Sequence, residues 1–348
     1  HGVSRVKQSQ AALEAKRRRE RAKLKEYLAL SDEILSRKRR NDWSTESLDL
    51  TTKMLQINPE FYTVWNYRRD IYLNAVFPNR TPEQINETLE KDLVMTTIAL
   101  KAHPKIYWIW NHRRWCLEQT PDGPGGEGGD PHGWRMKNWK QELFVVGKML
   151  DVDARNFHAW NYRRYVLTSM PVKKPDIDEF AYTTKKIQAS FSNFSAWHQR
   201  SKIYPLLWES NVLDHKKSRE EEFELVRNAM YTDPEDQSVW VYHRWLVGTT
   251  HVFLGEDADL LKREIQAIKE LLEEEAGSKW CMESLVHYQT LLVRCHYAAL
   301  GDEECERLRA NTLELLQQLE VLDPLRRQRY RDLGECSIRH ESYRRLCG

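Results

Sequence analysis

The apolar positions of this chain follow a helical rhythm. In the segment that begins at Thr45, Leu48, Thr51, Thr52, Leu55 and Ile57 fall on one face of a 3.6-residue period. The chain is then broken by Asn58-Pro59-Glu60, and a second apolar run follows through Trp65. No segment alternates with period two for long enough to require a strand. Thr81-Pro82-Glu83-Gln84 reads as a helix start: a threonine cap, a proline at the first helical position, and a glutamine able to reach back to the cap.

This two-run pattern recurs. "NPEFYTVWNYRR" (58–69), "HPKIYWIWNHRR" (103–114), "DARNFHAWNYRR" (153–164), "FSNFSAWHQR" (191–200) and "DPEDQSVWVYHR" (233–244) share a tryptophan followed by arginine. Trp65, Trp110, Trp160, Trp197 and Trp240 lie 45, 50, 37 and 43 residues apart, enough for one helical hairpin per repeat, and a degenerate sixth copy is expected around Trp280. Arginine three or four residues after tryptophan shares its helical face. The pairs Trp65/Arg68, Trp110/Arg113, Trp160/Arg163, Trp197/Arg200 and Trp240/Arg244 are therefore expected to hold the fold, because a catalytic residue has no reason to recur in every copy. The expectation is an all-α solenoid of helical hairpins forming a single helical-repeat domain over 1–348. It has an N-terminal basic helix in 1–40, repeats around 44–78, 82–119, 136–170, 176–209 and 216–250, degenerate repeats over 257–348, and a mobile Gly/Pro loop at 120–135.

Composition narrows the functional classes. The 54 basic and 52 acidic side chains leave a net charge of +2, which argues against a dedicated nucleic-acid binder. Basic residues do concentrate at Lys16–Lys25 and Arg37–Arg40; the plain reading is a solvated helix face, and steeply salt-dependent RNA binding would be the sign of the rival one. Six cysteines show neither CxxC nor zinc-finger spacing, no HExxH occurs, and no stretch approaches the ~20 apolar residues of a membrane span. With no apolar signal core at the N-terminus, a reducing cytoplasmic setting is expected, and the sequons at Asn79, Asn86 and Asn193 are read as chance. Cys347 is second from last, so "RLCG" is not a prenylation box.

The element P-x-x-(Y/F)-x-x-W-x-x-R, repeated at these intervals, resembles the α-subunit repeat of protein prenyltransferases across essentially the whole chain. "HGVSRVK" at the start, "NFSNFSAWHQRS" and "TDPEDQSVWVYHRWL" are most similar to the Rab geranylgeranyltransferase branch, in a fungal form: Trp245 runs to Leu260 without an inserted domain, and no leucine-rich period follows Asp323. The resemblance implies a right-handed α/α superhelix, crescent-shaped, wrapped around an α/α-barrel β subunit that holds a catalytic zinc and the lipid cavity. The implied reaction moves geranylgeranyl from its diphosphate to C-terminal cysteines of Rab GTPases presented by an escort protein, with magnesium a further candidate at the diphosphate.

The same resemblance assigns residues. Lys105 matches the lysine that approaches the diphosphate in the family, and it is the only lysine at its place in the repeat, the other copies carrying Glu60, Arg155, Asn193 and Glu235. Tyr107 would orient the leaving group, with a core tyrosine as its alternative, and His158 matches a histidine near the diphosphate. Phe157 replaces a family tyrosine and loses its hydroxyl. Trp108 stands where farnesyl-type subunits carry a glutamine that holds a CaaX carboxylate; an indole has only one N–H and accepts nothing, so the CaaX manner of recognition is not expected. His1 heads a His-Gly terminus that could add a ligand to the partner's zinc. Two other readings remain open: the α subunit shared by farnesyltransferase and type I geranylgeranyltransferase, and a non-catalytic solenoid scaffold.

Overall fold

A computed structural model of the chain describes residues 10–123, 132–248 and 258–335. Among these residues the regular elements are helical, apart from one bridge between Gly123 and His132. The chain divides into two compact units, His1–Lys173 and Lys174–Gly348.

The first unit opens with α1 (Gln10–Arg39) and continues with three hairpins: α2 (Thr45–Ile57) with α3 (Tyr62–Ile71), α4 (Pro82–Ala102) with α5 (Tyr107–Gln119), and α6 (Gly133–Val152) with α7 (Phe157–Ser169). The second holds α8 (Asp176–Ala189) with α9 (Phe194–Glu209), α10 (His215–Thr232) with α11 (Gln237–Val247), and α12 (Ala258–Glu274), α13 (Lys279–Leu300) and α14 (Asp302–Leu322). The Thr81–Gln84 start forms as read from sequence, a reciprocal capping box with Pro82 inside it.

Five hairpin turns are closed alike, and three of them also begin alike. Asn58, Asp153 and Asp233 accept, through Oδ1, the backbone N–H two residues on, which folds the chain back after the first helix. The indole of the second helix then closes the turn. Trp65, Trp110, Trp160, Trp197 and Trp240 each donate Nε1–H to the carbonyl six residues earlier, on Pro59, Pro104, Ala154, Phe191 and Pro234, at 2.7–3.0 Å. All five are buried. At ~200 Å² and about 25 cal/mol per Å², each ring contributes up to ~5 kcal/mol while its one polar atom stays paired.

Three of the arginines join one hairpin to the next. Arg68 grips Asp92 on the first helix of the next hairpin through Nε and Nη2, while its Nη1 donates to Thr51, Thr52 and the Leu48 carbonyl of its own hairpin. Arg113 repeats this with Glu142, Thr96, Thr97 and the Leu93 carbonyl; Arg200 repeats it with Glu222, Thr183, Thr184 and the Phe180 carbonyl. The carboxylate also receives a hydrogen bond from the residue 20 positions downstream: His112 on Asp92, Tyr162 on Glu142, Tyr242 on Glu222. That residue in turn packs against the previous tryptophan, with ring centroids 4.6–5.0 Å apart for Trp65/His112, Trp110/Tyr162 and Trp197/Tyr242.

Two sequence assignments need correction, and one repeat carries a local difference. Arg163 of the third repeat is buried, as its place on the tryptophan face requires. The positions that hold the threonine pair elsewhere are Val146 and Gly147 in its hairpin, so no hydroxyls stand there to receive the guanidinium. The tie of arginine to the first helix of its own hairpin therefore loses its two side-chain acceptors in this repeat, and fully buried Val146 puts apolar packing in their place.

In the fifth repeat His243, not Arg244, occupies the place of Arg68: it is fully buried and reaches Glu264 at 3.1 Å, and Arg227, at the Thr52 position of its hairpin, supplies the missing positive charge to Glu264 at 3.5 Å. Arg244 is half-buried, one residue further round the helix. The sixth copy centres on Met282 rather than Trp280: Ser278 caps α13 four residues before Met282, as Asn156 does before Trp160, whereas Trp280 is half-exposed beneath Arg326.

The basic runs resolve differently. Arg37 donates to Asp42 and Glu46, each at 3.1 Å, so the Arg37–Arg40 cluster has its leading charge paired with acids of its own chain, while Lys16–Lys25 is exposed along the outer part of α1. Of the loop expected at 120–135, residues 124–131 lie outside the described residues; its two ends are tied by the Gly123–His132 bridge and by Asp122, which pairs with His132 at 2.9 Å and Arg135 at 3.2 Å.

The joint at Asp92 gives a pH prediction. Burial pushes His112 down to about 4, so it is neutral and donates to Asp92, whose carboxyl is held far below the usual range by Arg68 and His112 despite burial. Between that value and the ordinary ~6.5 the unfolded chain takes a proton that the folded one refuses, so stability falls as the pH drops through this window, by up to ~3 kcal/mol. Glutamine serves this position in the fourth repeat as Gln199. His112→Gln should therefore flatten the loss of urea-unfolding stability between pH 6.5 and 4 in the full chain; an unchanged acid slope would remove His112 as its source.

Candidate functional site

Lys105 lies in the turn between α4 and α5, exposed, with Nζ 3.4 Å from Asp153 Oδ2 of the following turn. Such an exposed pair is worth about 0–1 kcal/mol, so Lys105 is easily released to a more highly charged anion. Asp153 had no role in the sequence reading. Ile106 leaves the N-terminus of α5 without a side-chain cap, whereas α7, α9 and α11 are capped by Asn156, Asn193 and Asp236. The first amides of α5 thus remain open to an anion beside Lys105.

The register also places Ser192, not Asn193, opposite Lys105. The carbonyl held by each indole precedes this position by one residue, and for Trp197 that carbonyl belongs to Phe191. Lys105 remains the only lysine of the set.

Asn156 is the residue that assembles the site, and its signal was legible as an N-cap asparagine before an apolar run. Its Oδ1 accepts from the His158 and Ala159 amides, and its Nδ2 donates to the Pro104 carbonyl at 3.2 Å. The same carbonyl accepts the Trp110 indole, so one oxygen fixes the Lys105 turn both to its own helix and to α7. His158 is brought against Tyr107, ring edge to face at 4.2 Å, and is 6% exposed, while Tyr107 and Phe157 are each 58% exposed. Burial first, and then the Lys105 charge, push the His158 imidazole below its usual value, so it is uncharged at neutral pH.

Lys105, Tyr107 and His158 are therefore neighbours across two repeats. Trp108 is half-buried and packs on Tyr62 of the preceding repeat at 5.3 Å, with no part in this group. His1 lies outside the described residues.

Asp92, His112 and Cys116 are the described His/Cys/Asp/Glu grouping close enough to ligate a metal, with atoms within 4.8 Å. Their chemistry does not fit one. Arg68 holds Asp92 through two nitrogens, His112 donates to it, and burial pushes the Cys116 thiol well up, so a cation would meet a guanidinium and a protonated thiol.

The model of the "Protein prenyltransferase alpha subunit repeat" matches residues 44–75, 89–120, 139–170, 177–207 and 219–250, the five hairpins just described. The chain belongs to the protein prenyltransferase alpha-subunit family. Among its relatives, the "Geranylgeranyl transferase type-2 subunit alpha" of Schizosaccharomyces pombe is 39% identical over 96% of this chain and 98% of its own length, and that of Candida albicans is 35% identical over 98% and 99%. A solved structure described as Candida albicans protein geranylgeranyltransferase-I complexed with GGPP has the same fold, with a TM-score of 0.66 at 20% identity, covering 90% of this chain and 91% of that one.

Asn156→Ala removes the cap of α7 and the strut to Pro104 together. The expected cost is about 1–2 kcal/mol in thermal or urea unfolding of the full chain. Asn156→Asp, which keeps the cap but loses the Nδ2 donor, should recover part of it; an Asn156→Asp chain as stable as the unmodified one would deny the strut.

Proposed function

We propose that the chain is the α subunit of a type-2 protein geranylgeranyltransferase, working in the cytoplasm with a β subunit that carries zinc and the lipid cavity. The substrates are geranylgeranyl diphosphate and the C-terminal cysteines of Rab proteins presented by an escort protein. Near-full-length relatives of that name support the reading. The observation that carries the chain's own share of the chemistry is Lys105, the single lysine of its register, standing at the uncapped start of α5 beside Tyr107 and a neutral His158.

The partner's zinc would lower the pKa of the substrate cysteine so that a thiolate is available. As sulfur bonds to C1 of the lipid, the C1–O bond breaks and the charge collects on the departing diphosphate. Lys105 would leave Asp153 to meet that charge, and the α5 amides would add partial positive charge along the helix axis. Tyr107 would donate its hydroxyl to a diphosphate oxygen. His158 would donate an N–H, and a phosphate close by raises its affinity for a proton. Magnesium at the diphosphate, and a ligand from His1 to the zinc, complete the proposal without described residues of this chain to support them. Trp108, already packed on Tyr62, offers no acceptor for a peptide terminus, which favours delivery by an escort over CaaX recognition.

Co-expression with its β subunit, followed by transfer to Rab with escort protein and to a CaaX peptide, tests the assignment; efficient transfer to the peptide alone would move the chain to the subunit shared by farnesyltransferase and type I geranylgeranyltransferase. Lys105→Ala should slow single-turnover transfer about tenfold to a hundredfold, with a smaller loss of lipid affinity. Affinity for the lipid diphosphate should rise as the pH is lowered through the depressed titration range of His158, because the bound anion favours the imidazolium. His158→Ala should abolish that rise; a wild-type affinity flat with pH would take His158 out of the site.

A further inference from the structure

The second arginine of the motif recurs as Arg69, Arg114, Arg164 and Arg244, and three of the four have polar neighbours. Arg69 donates to His112 Nδ1 at 3.4 Å and lies over the Trp115 ring. Arg114 pairs with Glu118 at 3.6 Å and stacks on Tyr165 at 3.8 Å, and Arg244 lies near enough to the Tyr288 hydroxyl to act on it electrostatically. Arg164 differs. Among the described residues no carboxylate or hydrogen-bonding side chain meets its guanidinium, although it is half-buried and burial is the sole influence on its pKa, which is lowered. A cation that has lost part of its water without gaining a counter-charge is unfavourable by itself and becomes favourable once an anion arrives.

The geometry provides a place for that anion. Arg164 lines a recess of about 260 Å³ between α5 and α7, together with Asn111, Asn161, His158, Tyr107 and Phe157. Asn111 and Asn161 are exposed and stand at the same position of successive repeats, directly after Trp110 and Trp160. Arg114 also borders the recess, but Glu118 already offsets its charge. The recess therefore offers about one uncompensated positive charge, which matches a carboxylate and would leave a diphosphate poorly neutralised. A guanidinium fork suits the planar carboxylate. Tyr107 and Phe157, exposed beside this half-buried cation, form an apolar surround around a charged centre, the anatomy of a protein-protein contact.

We propose that this recess is a socket for one aspartate or glutamate side chain of the β subunit, clasped by the Arg164 fork, with the Asn111 and Asn161 amides bonding the backbone on either side of it. The identity of the partner rests on the function proposed above. A carboxylate seated there would lie against Tyr107 and His158, so that docking of the partner would also fix the wall that carries Lys105.

The test uses the co-expressed heterodimer. Arg164→Lys places a primary amine in the socket, and a zero-length carbodiimide joins an amine only to a carboxylate in contact with it. Peptide mapping should find one new isopeptide link from position 164 to a single Asp or Glu of the β subunit, absent from the unmodified pair. Arg164→Gln, with thermal unfolding of the isolated chain unchanged, should weaken subunit association about thirtyfold or more. No new link, a link within this chain, a link to added Rab instead, or wild-type association of Arg164→Gln would each overturn the socket. Neither readout involves lipid transfer: a complex that assembles normally with Arg164→Gln and still depends on Lys105 loses the socket and keeps the transferase, whereas a wild-type chain that captures no β subunit removes the transferase reading first.

Discussion

A buried carboxylate shared by two hairpins is the interaction on which the rest of this protein depends. Asp92, Glu142 and Glu222 each sit in the interior with an arginine from one repeat and a tyrosine or histidine from the next. None of the three partners could be buried alone: a lone carboxylate or guanidinium would cost several kcal/mol in desolvation, and the Tyr162 and Tyr242 hydroxyls would lack an acceptor. Together they are satisfied, and at Asp92 the guanidinium within bonding distance holds the carboxyl well below its usual range despite burial. Removing one member leaves the others uncompensated, which is why the joint specifies the pairing of hairpins more sharply than apolar packing could.

The candidate site inherits its precision from that joint. Lys105 is a flexible side chain on a turn, yet the turn is anchored at one carbonyl by Trp110 and Asn156, and Asn156 belongs to the helix whose Tyr162 is locked to Glu142 and whose His158 faces Tyr107. A chain of hydrogen bonds within the first unit thus runs from the repeat scaffold to the residues assigned to the diphosphate. With the indole closing the turn in all five repeats, one turn, the one before α5, is free to carry different chemistry.

Much of this was legible in the sequence and some was not, for physical reasons. Tryptophan and arginine at fixed offsets announced helical hairpins because burial of an indole and a guanidinium needs one helix face. The same pattern could not reveal that the arginine's partners would be a threonine pair behind it and an acid ahead of it, since those lie on other helices. Arg163 illustrates this: its own motif is the same "WNYRR" as that of Arg68, and the valine and glycine that stand in place of the threonine pair, Val146 and Gly147, lie on the preceding helix. Arg244 was misassigned because arginine is the obvious residue in "YHRW", whereas His243 together with Arg227 performs the task; Trp280 was preferred to Met282 because side-chain size masked the register given by Ser278. Lys105 stood out as a departure from the repeat, and Asn156 could be read as a cap though not as a strut, while Asp153 and Arg164 acquire meaning only from what surrounds them in three dimensions.

The spacing of these contacts also shows where such a chain can change its length. From carboxylate to hydroxyl or imidazole the separation is 20 residues every time, from arginine back to its threonines 17 and 16, from indole to carbonyl 6. From arginine forward to the next carboxylate it is 24, 29 and 22. Each hairpin is a ruler of fixed length, and only the seams between hairpins stretch. The Gly/Pro segment after α5 occupies the longest of those seams, so descendants of this chain can gain or lose residues there without disturbing a single joint, and insertions of new function should accumulate at seams rather than within the hairpins.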